Sequence, residues 1–276
     1  MTMSAFILAC LTLAGVSGQT ESSRLFSEHF VEANGVRLHY LDWGGQGEPV
    51  VFLTGFGTPA ATFNDLAVGL RDRFHVYALT RRGFPPSQTP ASGYELTTLV
   101  ADIMAFLDAK KLQRAHLVGH SLAGLELTQI ASRWPRRVRS LVYLDAIADP
   151  ATAHAVLQKD PLGSAPATGA VWTQISRWWN GYSVDFSGVE APTLAISAIK
   201  ERHPGITQDA TIEIRERAET YWRTAAVPTQ ERWLATFRRQ VPHARVITYQ
   251  DASHYFYLDR SADVLAEIKR FYSSLR

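Results

Sequence analysis

The ten residues Ala115-His116-Leu117-Val118-Gly119-His120-Ser121-Leu122-Ala123-Gly124 constrain this chain more than any other stretch. Apolar residues lead up to Gly119 as in a short buried strand. After Ser121, the residues Leu122, Leu125, Ile130 and Trp134 continue with roughly helical spacing. A serine at such a junction sits on a sharp turn with its hydroxyl exposed above a sheet. The turn is tight enough that the residues two before and two after the serine must be small, here Gly119 and Ala123. The chain supplies its own controls. Gly15-Val16-Ser17 and Gly181-Tyr182-Ser183 also read Gly-x-Ser, but Gln19 and Asp185 occupy the small-residue position and neither lies between a strand and a helix. Ser121 is therefore a candidate nucleophile, provided an acid and then a histidine follow it in the chain.

Around this stretch the pattern alternates between strand and helix. From Ser27 the chain reads as strand, and Val36 to Leu41 alternates after Asn34-Gly35, a strong hairpin signal. His39 there reads as a sheet side chain. Gly44-Gly45-Gln46-Gly47 makes a loop, and Pro49 to Leu53 and Phe74 to Leu79 are continuous apolar strands flanking a helix around Leu66, Val68 and Leu70. Leu99, Ile103, Met104, Phe106 and Leu107 give an amphipathic helix, and Leu141 to Leu144 a strand ending at Asp145. Later come a strand over Pro192 to Ala198, a charged helical region with Glu213, Arg215, Glu216 and Arg217, and a helix around Trp233 and Phe237. A strand over Arg245 to Tyr249 and a helix with Val264, Leu265, Ile268 and Phe271 complete the chain. Such alternation implies a parallel sheet with helices on both faces. Residues from about 148 to 190 break the rhythm and carry Trp172, Ile175, Trp178, Trp179, Tyr182 and Phe186. They are expected to form a lid whose aromatics roof an apolar pocket at the strands' C-terminal ends.

With 276 residues, 46% of them apolar and 20% charged, the chain can bury one large core and is not expected to be disordered. A net charge of +2 gives no sign of a nucleic-acid partner, and Arg136, Arg137 and Arg139 read as a solvated helix end. The only cysteine, Cys10, precedes the body of the protein, which excludes disulfides, thiol catalysis and cysteine-ligated zinc there. Ala5 to Val16 is an apolar run too short to span a bilayer, with small residues after it. It reads as a signal peptide over residues 1–18, although no Lys or Arg precedes it. A secreted or periplasmic protein is expected, with a cytoplasmic one as the alternative.

Four motifs now stand in order: Thr54-Gly55-Phe56-Gly57 after one strand, Arg82-Gly83-Phe84 after the next, the Gly119 to Ala123 turn, and Ser253-His254-Tyr255 followed by Leu258-Asp259. Together they resemble a serine hydrolase of the α/β-hydrolase superfamily, from about Glu28 to the C-terminus. The resemblance implies an α/β-hydrolase fold over 19–276, with a mostly parallel eight-stranded sheet flanked by helices and a small helical lid. It also implies cleavage of an ester, amide or related bond without a metal or organic cofactor. A serine hydroxyl is a weak nucleophile until a base takes its proton. His254 is the expected base, in the loop after the last strand where the superfamily keeps its histidine. By resemblance, the backbone N–H groups of Phe56 and Leu122 form the oxyanion hole. Thr54 replaces the usual histidine of that loop, which leaves open how the loop is supported. For the orienting acid the superfamily has two places, which here hold Asp145 and Glu201. Asp145 is favoured because it directly follows a buried strand, whereas Glu201 lies between Lys200 and Arg202 in a polar turn. Arg82 is expected to anchor its own loop, with contact of Arg81 and Arg82 to an anionic substrate as the alternative. His120 is expected to shape the pocket.

The expected activity is cleavage of a fairly small, apolar-tailed carboxylic ester through an acyl-enzyme, with a small-molecule ester as partner and no nucleic acid or stable membrane span. A cofactor-free perhydrolase, an aminopeptidase or a carbon–carbon hydrolase would use the same residues. A small-molecule receptor on a hydrolase fold is the alternative outside enzymology.

Overall fold

Asn34 and Gly35 both take positive φ, at 50° and 74°, the geometry of a two-residue hairpin turn matched to strand twist. They join β1 (Ser27–Ala33) to β2 (Val36–Gly44), with Ala33 opposite Val36. This computed structural model describes residues 25–163, 169–203, 205–207 and 209–275. The expected signal peptide and Cys10 lie outside the described residues. After the hairpin the chain continues through β3 (Glu48–Leu53), α1 (Asn64–Leu70), β4 (Phe74–Leu79), α2 (Leu96–Ala109), β5 (Ala115–His120), α3 (Ala123–Arg133) and β6 (Val138–Leu144). Next come α4 (Pro150–Leu157), α5 (Ala170–Trp179), β7 (Thr193–Ile199), α6 (Ile212–Tyr221) and α7 (Val227–Gln240). The chain closes with β8 (Arg245–Gln250), α8 (Phe256–Asp259) and α9 (Ser261–Ser274).

The eight strands form one sheet in the order β1-β2-β4-β3-β5-β6-β7-β8. Only the pairings of β2, with β1 and with β4, are antiparallel; from β4 to β8 every pairing is parallel. In the central strands successive side chains go to opposite faces and both faces are buried. Leu117, Leu141 and Tyr143 enter one core cluster, whereas Val118, Val142 and Leu144 enter the other. Burial on both faces is why these strands read as continuous apolar runs. The first cluster packs under α2, α3 and α7, the second under α1 and α9.

Element bounds differ from the sequence expectation at informative points. Helix α3 stops at Arg133, and Trp134, expected on its apolar stripe, is the residue past its end and 38% exposed. Pro135 follows, and the residue before a proline is disfavoured in helical backbone. Helices α6 and α7 are joined by a wide π-type turn over Trp222–Ala226, just ahead of Pro228. The charged face of α6 is solvated as expected, with only Ala218 buried. The stretch 148–190 divides: Trp172 and Trp179 stay partly exposed, but Ile175, Phe186 and Val189 are buried in the core. Phe186 packs edge-on against Phe237 of α7 with ring centres 4.9 Å apart, so it belongs to the main body rather than to any roof. No described helix is long and apolar enough to cross a membrane.

Candidate active site

Three strands end in the same way at this edge of the sheet. Ser121, Asp145 and Asp251 each follow the last residue of β5, β6 and β8, and each takes positive φ, at 55°, 44° and 51°. Each first donates one more ladder bond to the neighbouring strand: Ser121 N–H to Leu144 O (3.2 Å), Asp145 N–H to Ile196 O (2.8 Å) and Asp251 N–H to Ile199 O (2.9 Å). Left-handed backbone costs a non-glycine residue about 1–2 kcal/mol. Such strain persists only where the surrounding structure over-determines it, and it clusters at functional sites. The corners turn Ser121 and Asp145 out of the sheet, and the third begins the loop that carries His254.

The room at the Ser121 corner is limited by side chains on one side and by backbone on the other. A side chain on Gly119 would meet Leu127 and the Cβ of Ala123 at 2.8–3.1 Å. The tighter glycine is Gly124, where an added Cβ would lie 1.9 Å from the carbonyl oxygen of Ala146. Gly124→Ala should gain about 1 kcal/mol of helix propensity. Overpacking of this kind costs about 1–3 kcal/mol and occasionally more, and here the obstacle is main chain, which yields least. A net fall in the urea midpoint of unfolding is expected, and an unchanged or higher midpoint would refute the close approach.

Asp145 and His254 are brought together. His254 Nδ1 donates to Asp145 Oδ2 at 2.6 Å, and the other carboxylate oxygen accepts from the N–H of Ala198 at 2.9 Å. The acid is held from both sides, while the His254 side chain keeps a third of its surface exposed. Glu201 has no such bond: it is exposed, and its own N–H donates to Asp251 Oδ1 at 3.1 Å. Ser121 is half-buried, and its hydroxyl forms no hydrogen bond among the described residues. It is linked to His254 through its neighbour His120 instead. The Nε2–H of His120 donates to the His254 carbonyl at 3.0 Å, and the two rings lie 4.5 Å apart. A carbonyl only accepts, so His120 is the Nε2–H tautomer and its Nδ1, buried without a partner, carries no proton. Burial, reinforced by the nearby His254, holds the His120 imidazole well below its ordinary value of 6.5, so this ring stays neutral.

Opposite Ser121 runs the loop after β3. Gly55 approaches so closely that a Cβ there would sit 2.8 Å from His120 Nδ1 and 3.1 Å from Ser121 Cβ. Neither the N–H of Phe56 nor that of Leu122, at the start of α3, has a hydrogen-bond partner among the described residues. The Phe56 ring is at the same time a packed aromatic, edge-on to Phe84 at 4.9 Å and to Trp172 of α5 at 5.0 Å. Behind the loop, Arg81 forks onto Glu126 and donates to the carbonyl of Thr54 at 2.7 Å. Arg82 forks onto Asp102, which also accepts from Asn34 at 2.8 Å. The sequence reading missed Glu126 and the bond from His120 to His254. The available signal for the first was a lone charge on the apolar face that Ala123, Leu127 and Ile130 define.

A family model described as the alpha/beta hydrolase fold matches residues 48–187, half of the chain. The cis-3-alkyl-4-alkyloxetan-2-one decarboxylase of Shewanella oneidensis is 27% identical over 89% of this chain and 88% of its own length. The N-formylmaleamate deformylase of Pseudomonas putida is 35% identical, over 42% of this chain and 43% of its own length. Among solved structures, the enol-lactonase from Burkholderia xenovorans superposes with a TM-score of 0.66, at 20% identity, over 89% of this chain and all of that one.

Proposed function

The chain belongs to the α/β-hydrolase fold family and is an enzyme of that superfamily, and from that premise we propose that it cleaves carboxylic esters through an acyl-enzyme formed on Ser121. The observation that carries this reading is the 2.6 Å bond from His254 to Asp145, together with the left-handed Ser121 and the Phe56 and Leu122 N–H groups that have no partner among the described residues. Asp145 fixes the proton on Nδ1, so Nε2 presents a lone pair and takes the Ser121 proton as the hydroxyl oxygen attacks the ester carbonyl. The carbonyl oxygen becomes an oxyanion and accepts from the N–H groups of Phe56 and Leu122, the second reinforced by the positive end of α3. Collapse of that intermediate expels the alcohol, which receives the proton from His254. Water then repeats the sequence on the acyl-serine and releases the acid. A loose serine–histidine contact before substrate arrives is common in such sites.

The aromatic edges of Phe56, Phe84 and Trp172 support an apolar acyl pocket with α5 as part of its cover. The relative aligned over most of the chain is named for an alkyl-substituted oxetan-2-one, a strained cyclic ester, so lactones belong in the substrate panel.

The test is turnover of p-nitrophenyl esters from acetate to dodecanoate, with a β-lactone beside them. A pocket that buries the acyl tail contributes about 0.8 kcal/mol per methylene, roughly fourfold in kcat/KM. The expected profile therefore climbs from acetate, reaches an optimum and falls once the pocket is full. A flat profile would remove the apolar pocket. No turnover on any ester or lactone would favour another bond type or a receptor.

A further inference from the structure

We infer that Arg81 and Glu126 act as a positioning pair that holds the two halves of the oxyanion hole in register; this rests on the ester-hydrolase reading above. Arg81 is 7% exposed and Glu126 1%, so both charges have been taken almost completely out of water. Moving an ion pair into the interior carries a large desolvation penalty, and apolar residues of similar volume often serve stability as well or better. Stability alone therefore does not account for the pair.

Its third contact suggests what does. The same Arg81 nitrogen that meets Glu126 Oε2 at 2.9 Å also donates to the Thr54 carbonyl at 2.7 Å. Thr54 opens the loop that carries the Phe56 N–H, whereas Glu126 lies on α3, whose first turn follows the Leu122 N–H. One rigid, planar guanidinium thus joins the segment bearing one donor to the segment bearing the other. Between Thr54 and Thr58 the loop's other side-chain hydrogen bonds among the described residues are weak ones, Thr54 Oγ1 to Leu79 O at 3.5 Å and Thr58 Oγ1 to Phe56 O at 3.4 Å. Its end is tied by Thr62 N–H to Pro59 O at 3.1 Å. The superfamily-typical histidine is absent at Thr54, and Arg81 supplies the support from behind. A role in holding an anionic substrate does not fit. The cavity that Arg81 and Glu126 line is about 20 Å³, room for about one water.

The deciding variant is R81M/E126L, which replaces the pair by apolar side chains of similar volume and is expected to fold. Active sites are counted with a fluorophosphonate, and kcat, KM and inhibition by a trifluoromethyl ketone are measured per titrated site. Losing one oxyanion donor outright costs about 10²–10³ in kcat. A displaced donor should give a fall of about 10- to 100-fold in kcat with KM within threefold of wild type. Binding of the ketone, whose adduct carries the oxyanion, should weaken in proportion. A role confined to stability would lower the melting temperature and leave kcat per site unchanged. That result, kcat within twofold, overturns the inference. If the double variant does not fold, R81K decides on the same terms, because one ammonium cannot reproduce the fork and reach Thr54. Wild-type protein that neither hydrolyses esters nor reacts with the fluorophosphonate would instead bring down the ester-hydrolase reading, and this inference with it.

Discussion

Ser121→Ala is expected to lower kcat on the best p-nitrophenyl ester by at least about 10⁴-fold and to abolish fluorophosphonate labelling, while the melting temperature holds or rises. The loss follows from chemistry: without the hydroxyl there is no acyl-enzyme, and what remains is attack by water beside the oxyanion donors. In a serine protease, removing the nucleophile costs about 2 × 10⁶ in kcat. The effect on stability has a separate origin. At φ 55° the serine backbone is strained, and alanine inherits that strain. Among the described residues the serine hydroxyl has no hydrogen bond to lose. A folded Ser121→Ala protein that keeps even a tenth of its turnover would show that the nucleophile lies elsewhere.

Asp145→Asn should cost about 10⁴-fold in kcat, the loss that the equivalent exchange causes in a serine protease. An asparagine can still accept the Ala198 N–H through its amide oxygen, so the corner after β6 is kept. Its NH2 group then faces His254 Nδ1 and donates to it. The imidazole proton is driven to Nε2, where the lone pair is needed, and the base is disabled without being moved. Glu201→Gln is the matched control. Glu201 is exposed, and among the described residues its one hydrogen bond in this region comes from its main chain, so kcat should stay within about threefold. The opposite pattern, with Asp145→Asn near wild type and Glu201→Gln inactive, would transfer the role to Glu201.

How much of this was legible in the sequence varies with the range of the physics. Local backbone demands were readable. Asn34-Gly35 announces its hairpin because few residue pairs take positive φ at two successive positions, and Gly119 and Ala123 announce the corner because nothing larger fits. The strands were readable because burial on both faces erases polar alternation. What depended on neighbours across the sheet was not. Sequence position favoured Asp145 over Glu201 only by its place directly after a strand; the partners of each carboxylate, Ala198 and His254 for one and solvent for the other, came from the structure. The stretch 148–190 looked uniform in its aromatics, yet Trp172 reaches the Phe56 loop while Phe186 joins the core beside Phe237. Composition carries no record of which neighbour a ring meets. Glu126 was missed for the same reason, since a charge amid apolar residues is intelligible only once Arg81 is seen opposite it.

The bond from His254 to a carboxylate at the end of β6 also has a bearing on how the molecule tolerates change. Glu201, just past the end of β7, is exposed, and the carboxylate that meets the histidine is that of Asp145. Changes at Glu201 leave the pair proposed to handle the proton anchored on β6 and on the main chain of β7. For directed evolution, that position is free to vary without detuning the groups proposed to react.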